Sequence, residues 1–167
     1  MLTIREARRE DLIAITEIYN KAIIKTVATF DTEPKSIEEQ RVWFDRHNAK
    51  YPILVAEDQR LVVGWASLSM WSDRCGYSDT AEISLYVKEE YRNRGIGRTL
   101  LGAILKKGKN AGLHTVIARI AGTNQASIHL CDVFGFVRIG TMREVGRKFG
   151  RLLDVDLMQK IFGGSGG

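Results

Sequence analysis

Tyr86-Val87-Lys88-Glu89-Glu90-Tyr91-Arg92-Asn93-Arg94-Gly95-Ile96-Gly97-Arg98 runs from the apolar end of a strand through arginines and two glycines into a helical pattern. That order specifies an anion-binding turn. The first four N–H groups of a helix lack intrahelical partners and carry partial positive charge, and glycines let an anion come close to them. Arg92, Arg94 and Arg98 add forked donors suited to phosphate. Spacing disfavours two other phosphate loops. A nucleoside-triphosphate loop needs a lysine and a hydroxyl directly after its last glycine, whereas Gly97 is followed by Arg98 and Thr99. A dinucleotide turn needs G-x-G-x-x-G, and Leu100 stands where its third glycine belongs.

Working outward, residues 81–87 read as the strand before this turn and residues 97–110 as the helix after it, with Gly112 as its stop. Beyond lie a β-branched strand at 114–120, a short helix at 125–134 and strands at 136–142 and 153–158. On the other side, strands at 53–56 and 61–68 are joined by the polar turn Glu57-Asp58-Gln59-Arg60. Ser36 and Glu39 form a capping box for a helix carrying Trp43 and Phe44. Residues 27–34 read as a loop. Asp11 opens a helix whose apolar residues Leu12, Ile15, Ile18, Tyr19 and Ala22 recur at helical spacing, and residues 2–7 alternate like a first strand. The order β-α-α-β-β-β-α-β-α-β-β predicts an α+β domain with a mixed sheet, because hairpins precede a single strand-helix-strand crossover.

The chain has 167 residues, 44% hydrophobic and 27% charged, enough for one core and short for two. No window approaches the ~20 apolar residues of a membrane span, and the N-terminus lacks a secretory hydrophobic run, so a cytoplasmic location is expected. Cys75 and Cys131 are too few for a disulfide framework and lack the companions of a zinc site, so no metal is expected. A net charge of +5 permits nucleic-acid binding, but the basic residues are spread along the chain and no nucleic-acid-binding motif occurs. A polyanionic cofactor would use the same field. Gly163-Gly164-Ser165-Gly166-Gly167 has linker composition, leaving residues 1–162 as the expected domain.

Arg92-Asn93-Arg94-Gly95-Ile96-Gly97 resembles the pyrophosphate loop Arg/Gln-x-x-Gly-x-Gly/Ala of the GNAT acyltransferases, and the element order is similar to theirs. Four further segments resemble the phosphinothricin and methionine-sulfoximine N-acetyltransferases within that family. They are Thr29-Phe30-Asp31-Thr32-Glu33-Pro34; Arg74-Cys75-Gly76-Tyr77 with Thr80-Ala81-Glu82 and Tyr86-Val87; Asn124-Gln125-Ala126-Ser127-Ile128; and Lys148-Phe149-Gly150 with Asp154. The resemblance implies a central, mostly antiparallel mixed sheet flanked by helices, whose parallel fourth and fifth strands splay apart to admit acyl-CoA. It implies transfer of acetyl from acetyl-CoA to the α-amine of a small amino-acid-like acceptor, by direct attack, in a homodimer meeting near Lys148-Phe149-Gly150.

It also implies site residues. Arg92, Asn93, Arg94, Gly95, Ile96, Gly97 and Arg98 would hold the pyrophosphate. Leu85, Tyr86 and Val87 would offer backbone groups to the pantetheine arm, though apolar packing explains their side chains equally well. Asn124 would reach the cofactor or substrate amide, or simply cap a helix. Glu82 is the candidate base, because an ammonium must lose a proton before it attacks and burial in an apolar strand would raise a carboxyl pKa. The same residue fits a solvent-facing position or an arginine partner. Cys131 stands where many relatives have tyrosine or histidine, so it is either a proton donor to the departing thiolate or a buried apolar residue. Arg74 is the expected clamp for the acceptor's carboxylate. Phe30, Thr32, Glu33, Cys75 and Tyr77 are expected around the acceptor, with Trp71 as a further wall or a packing aromatic. Acetylation of protein N-termini or polyamines, and non-catalytic acyl-CoA sensing, remain as alternatives.

Overall fold

A computed structural model describes residues 1–163; from residue 164 the Gly/Ser tail lies outside the described residues. Seven strands form one sheet: β1 (Thr3–Glu6), β2 (Ile53–Asp58), β3 (Leu61–Met70), β4 (Thr80–Val87), β5 (Thr115–Ala121), β6 (Val137–Lys148) and β7 (Arg151–Ile161). Their spatial order is β1-β2-β3-β4-β5-β7-β6. Neighbours are antiparallel except β4 and β5, which are parallel. This is the mixed sheet the element order predicts. Four α-helices accompany it: α1 (Leu12–Lys25), α2 (Ile37–Asp45), α3 (Ile96–Asn110) and α4 (Gln125–Val133).

Strand alternation assigns the two faces. Ile83, Leu85 and Val87 pack into the larger core with Leu100, Leu101, Ile104 and Leu105 of α3. Each such buried aliphatic side chain contributes about 1.5–3 kcal/mol. The helix lies so close to the sheet at Gly108 that a Cβ there would stand 2.5 Å from Leu68 Cδ1. On the opposite face Trp65 and Tyr86 join Ile15 and Ile18 of α1 and Trp43 and Phe44 of α2 in a second core. Edge-on contacts of Tyr19 and Trp43 with Trp65 tie both helices to it.

The expected capping box of α2 is present: Glu39 N–H donates to Ser36 Oγ at 3.2 Å and Ser36 N–H to the Glu39 carboxylate at 2.8 Å. Asp11 behaves differently from the expected cap. Its carboxylate makes no cap hydrogen bond to α1 and instead accepts from both Arg5 Nη atoms at 2.8 and 2.9 Å and from Arg8 N–H at 2.7 Å. Two boundaries also differ. The β2–β3 turn contracts to Gln59 and Arg60, both at positive φ, because Asp58 pairs with Leu61. β6 and β7 run longer than their alternation suggests, and they close through Phe149 and Gly150 at φ 52° and 73°. Two positive-φ residues are what a two-residue hairpin needs, and the right-handed strand twist favours such turns.

Candidate active site

β4 and β5 share only three registered pairs, Thr80 with Thr115, Ala81 with Val116 and Glu82 with Ile117. Beyond Glu82 no strand among the described residues lies against the edge of β4 that faces β5, whereas its other edge stays paired to β3 through Val87. The wedge opens into a cavity of about 520 Å³. It is lined on one side by Thr29, Phe30 and Asp31 of the α1–α2 loop, and on the other by Asn124, Ser127, Leu130 and Cys131 of α4. Met142, Val145 and Val155 of the β6–β7 hairpin complete the wall.

Glu82 stands at the apex of the wedge, on the face shared with Ser84 and Tyr86. Its carboxylate is not the isolated group that an apolar strand suggests. Arg119, two residues beyond the last registered pair on β5, donates Nε–H to Oε1 at 2.8 Å and Nη2–H to Oε2 at 2.7 Å. Glu82 is 21% exposed and Arg119 52%. Hydrogen bonding to Glu82 raises the guanidinium pKa of Arg119 against the opposing effect of burial, so it is a permanent cation. Its Cζ lies 5.6 Å from the centroid of the Trp71 ring, a cation–π contact. Sequence reading passed over Arg119, although a charged residue in the apolar run Val116-Ile117-Ala118-Arg119-Ile120-Ala121 is the same signal that singled out Glu82.

A second polar cluster holds the α1–α2 loop. Tyr19 donates its phenol proton to Asp31, and its oxygen lies 3.0 Å from Thr29 Oγ1. Lys148, at the tip of the hairpin and buried, donates Nζ–H to the Thr29 carbonyl at 2.7 Å. Burial lowers the pKa of its ammonium and Asp31 opposes that shift. Phe30 lies against Gly146 so closely that any Cβ there would overlap its ring.

At the cofactor end, Gly95 occupies the N-cap position of α3 in the left-handed conformation at φ 78°, and Thr99 N–H to Gly95 carbonyl is the first intrahelical bond. The amides of Ile96, Gly97 and Arg98 therefore precede the helical ladder, as phosphate binding requires. Arg92, Asn93, Arg94 and Arg98 are exposed around them, and Arg94 stacks 5.0 Å over Tyr91. A methyl group at Gly97 would only touch Leu85 and Leu130, at 3.6 and 3.7 Å, so this glycine marks where α3 meets the wedge.

A family model described as an acetyltransferase (GNAT) domain matches residues 4–157. The chain belongs to the GNAT acetyltransferases. The L-amino acid N-acyltransferase MnaT of Escherichia coli is 40% identical over 95% of this chain and 92% of its own length. The L-methionine sulfoximine/L-methionine sulfone acetyltransferase of Salmonella typhimurium is 38% identical over 95% and 93%. The crystal structure of a GNAT phosphinothricin acetyltransferase from Sinorhizobium meliloti in complex with acetyl-CoA superposes with a TM-score of 0.93 at 36% identity, covering 97% of this chain and 89% of that one.

In this GNAT acetyltransferase the cavity gathers Glu82, Leu85, Tyr86, Asn124, Cys131 and Phe30 from the residues that sequence singled out. Asn124 also caps α4, accepting from Ser127 N–H at 3.3 Å. Cys131 is buried, and burial with Asp132 pushes its thiol up to about 11. Other expected acceptor residues lie elsewhere. Arg74, Cys75 and Tyr77 sit exposed on the β3–β4 connection, and Thr32 and Glu33 sit exposed beyond Asp31, none of them among the cavity's lining residues. The β3–β4 connection reaches the cavity's rim only through Trp71, which lies against Arg119, while residues 73–79 are exposed.

Proposed function

We propose that this protein transfers the acetyl group of acetyl-CoA to the α-amine of a small amino-acid-like acceptor, of the methionine sulfone, methionine sulfoximine or phosphinothricin type. The observation that carries the reading is the wedge. One cavity runs along the free edge of β4 at Leu85 and Tyr86 to the Glu82 carboxylate and the α1–α2 loop, and the chain leaving that edge continues into the N-terminus of α3. Relatives whose names state amino-acid-like substrates agree with it.

Acetyl-CoA supplies an activated acyl carbon. The residues of the chain do the rest. The backbone of Leu85, Tyr86 and Val87 offers the free edge of β4 to an extended amide-bearing arm, as an added strand would use it. An N–H on that edge polarises the thioester carbonyl. Amides 96–98 with Arg92, Asn93, Arg94 and Arg98 hold the pyrophosphate. Glu82 takes one proton from the acceptor's ammonium, directly or through water, and frees the lone pair. As the N–C bond forms and the C–S bond breaks, a second proton of the nitrogen leaves with sulfur as CoA thiol, and Glu82 returns its proton to solvent. Cys131 contributes chiefly an apolar wall. At about 11 its thiol is a weaker acid than an ordinary cysteine, which makes it a poor proton donor to a departing thiolate.

The test is CoA-thiol release from acetyl-CoA against methionine sulfone, methionine sulfoximine, phosphinothricin, the common amino acids, a polyamine and short peptides. Turnover confined to amino-acid analogues is the expected result. Turnover of peptides or polyamine alone, or tight cofactor binding with no turnover, would replace the reading by N-terminal acetylation, polyamine acetylation or sensing. The reading includes a cytoplasmic homodimer; among the described residues no helix is long and apolar enough to cross a membrane.

A further inference from the structure

Among the described residues the cavity has one cationic side chain in its lining, Arg119. An acceptor that is an α-amino acid brings both an ammonium and a carboxylate to Glu82. Burying that carboxylate against Glu82 and Asp31 without a cation would be costly, and Arg74 is exposed on the β3–β4 connection. Arg119 has the capacity to spare. A guanidinium carries five N–H donors on two usable edges. The fork to Glu82 uses the edge formed by Nε and Nη2, which leaves the edge formed by Nη1 and Nη2. No hydrogen bond from Nη1 to a described residue occurs, and the contact with Trp71 is a cation–π contact with Cζ 5.6 Å from the ring centroid, not a hydrogen bond.

We propose that Arg119 is the residue that binds the acceptor's α-carboxylate, holding Glu82 on one edge of its guanidinium and the substrate carboxylate on the adjacent edge. This rests on the acetyltransferase reading above and deepens it. A carboxylate has about four lone-pair positions, so Glu82 keeps acceptor capacity while held by Arg119. The α-nitrogen of an amino acid is one carbon from its carboxylate. Two carboxylates on neighbouring edges of one planar cation therefore bring that nitrogen to the free lone pairs of Glu82, facing the wedge. The arrangement selects free α-amino acids. A peptide N-terminus presents an amide in place of the carboxylate, and a polyamine presents nothing for the second edge.

The experiment compares methionine sulfone with 3-(methylsulfonyl)propylamine, the same molecule without its carboxylate, using the wild type, Arg119→Gln and Arg119→Lys. Acetyl-CoA affinity measured by calorimetry reports that each variant is folded. The wild type is expected to favour methionine sulfone by ~100-fold or more in kcat/KM, in the manner of a site built around a polar group that the analogue lacks. Arg119→Gln should lose that preference: kcat/KM for methionine sulfone should fall, chiefly through a raised KM, by ~10-fold or more beyond whatever loss the two acceptors share through Glu82. Arg119→Lys should recover only part of it, since an ammonium is a point charge without a second edge. Equal slowing of both acceptors with the preference intact would overturn the proposal and leave Arg119 as a support for Glu82 alone. Absence of wild-type turnover on every amino-acid analogue would overturn the acetyltransferase reading, and this proposal with it.

Discussion

Glu82 and Cys131 show how environment assigns different tasks to the two reactive side chains of one cavity. Glu82 meets the wedge with an ion-pair partner behind it, so replacing it with glutamine removes proton acceptance while keeping size and hydrogen-bonding atoms. Glu82→Gln should lower kcat by ~100-fold or more at pH 7, with acetyl-CoA affinity held within about twofold; unchanged turnover across the pH range would remove this carboxylate from the chemistry. Cys131 should behave as packing. Cys131→Ala is expected to keep kcat within about threefold, and a tenfold loss would instead assign it proton donation. Its thiol also affects stability. The folded state holds this proton more tightly than the ordinary value of 9.0, up to about 11. The unfolded chain therefore releases the proton first as pH rises, so the site's stabilising effect is complete below 9 and lost as pH passes about 11. Urea midpoints measured between pH 8 and 11 should fall less steeply in Cys131→Ala than in the wild type.

At the scale of elements, the α1–α2 loop and the β6–β7 hairpin close over one side of the cavity, the proposed acceptor side, joined where Phe30 lies on Gly146 and Lys148 donates to the Thr29 carbonyl. Gly146 is the position where the backbone must approach an aromatic face, and Gly146→Ala drives a methyl into the Phe30 ring. The expected effect is a rise in acceptor KM of ~10-fold with acetyl-CoA affinity unchanged, and Phe30→Leu in the same chain should recover part of it; an unaltered KM would separate the hairpin from the acceptor site. Much of this level was legible beforehand. The turn around Gly95 and Gly97, the capping box at Ser36 and Glu39, and the strand carrying Glu82 could all be read because each rests on local spacing. What escaped reading depends on register between distant strands. Arg119 meets Glu82 only because β4 and β5 pair at Glu82 and Ile117 and then part. Lys148 meets Thr29 across more than a hundred residues of chain. The long hairpin was read short because glycines and arginines interrupt its alternation, and because an edge strand need not bury either face.

At the scale of the molecule, the sheet ends on β6, and that edge is unusual. Val137, Ile139, Phe149, Leu152 and Ile161 are all exposed on β6, β7 and their turn. Scattered apolar side chains need no explanation, but a concentration on one edge hairpin marks an association surface and an aggregation hazard if left open. A second copy of the chain is the occupant that the acetyltransferase reading implies. The same hairpin carries Lys148 and Gly146, so covering its outer face would also steady the inner contacts with Phe30 and the Thr29 carbonyl. Sedimentation equilibrium should therefore give twice the chain mass for the wild type. Val137→Glu combined with Leu152→Glu places charge in this exposed apolar patch and should shift the protein to the single-chain mass at micromolar concentration. If association steadies those inner contacts, that variant should also show a raised acceptor KM with its acetyl-CoA affinity retained, because the pyrophosphate turn at Gly95 lies on α3, away from the hairpin. A single-chain mass for the wild type would refute the dimer, while a monomeric variant with unaltered acceptor kinetics would confine dimerisation to protecting the edge.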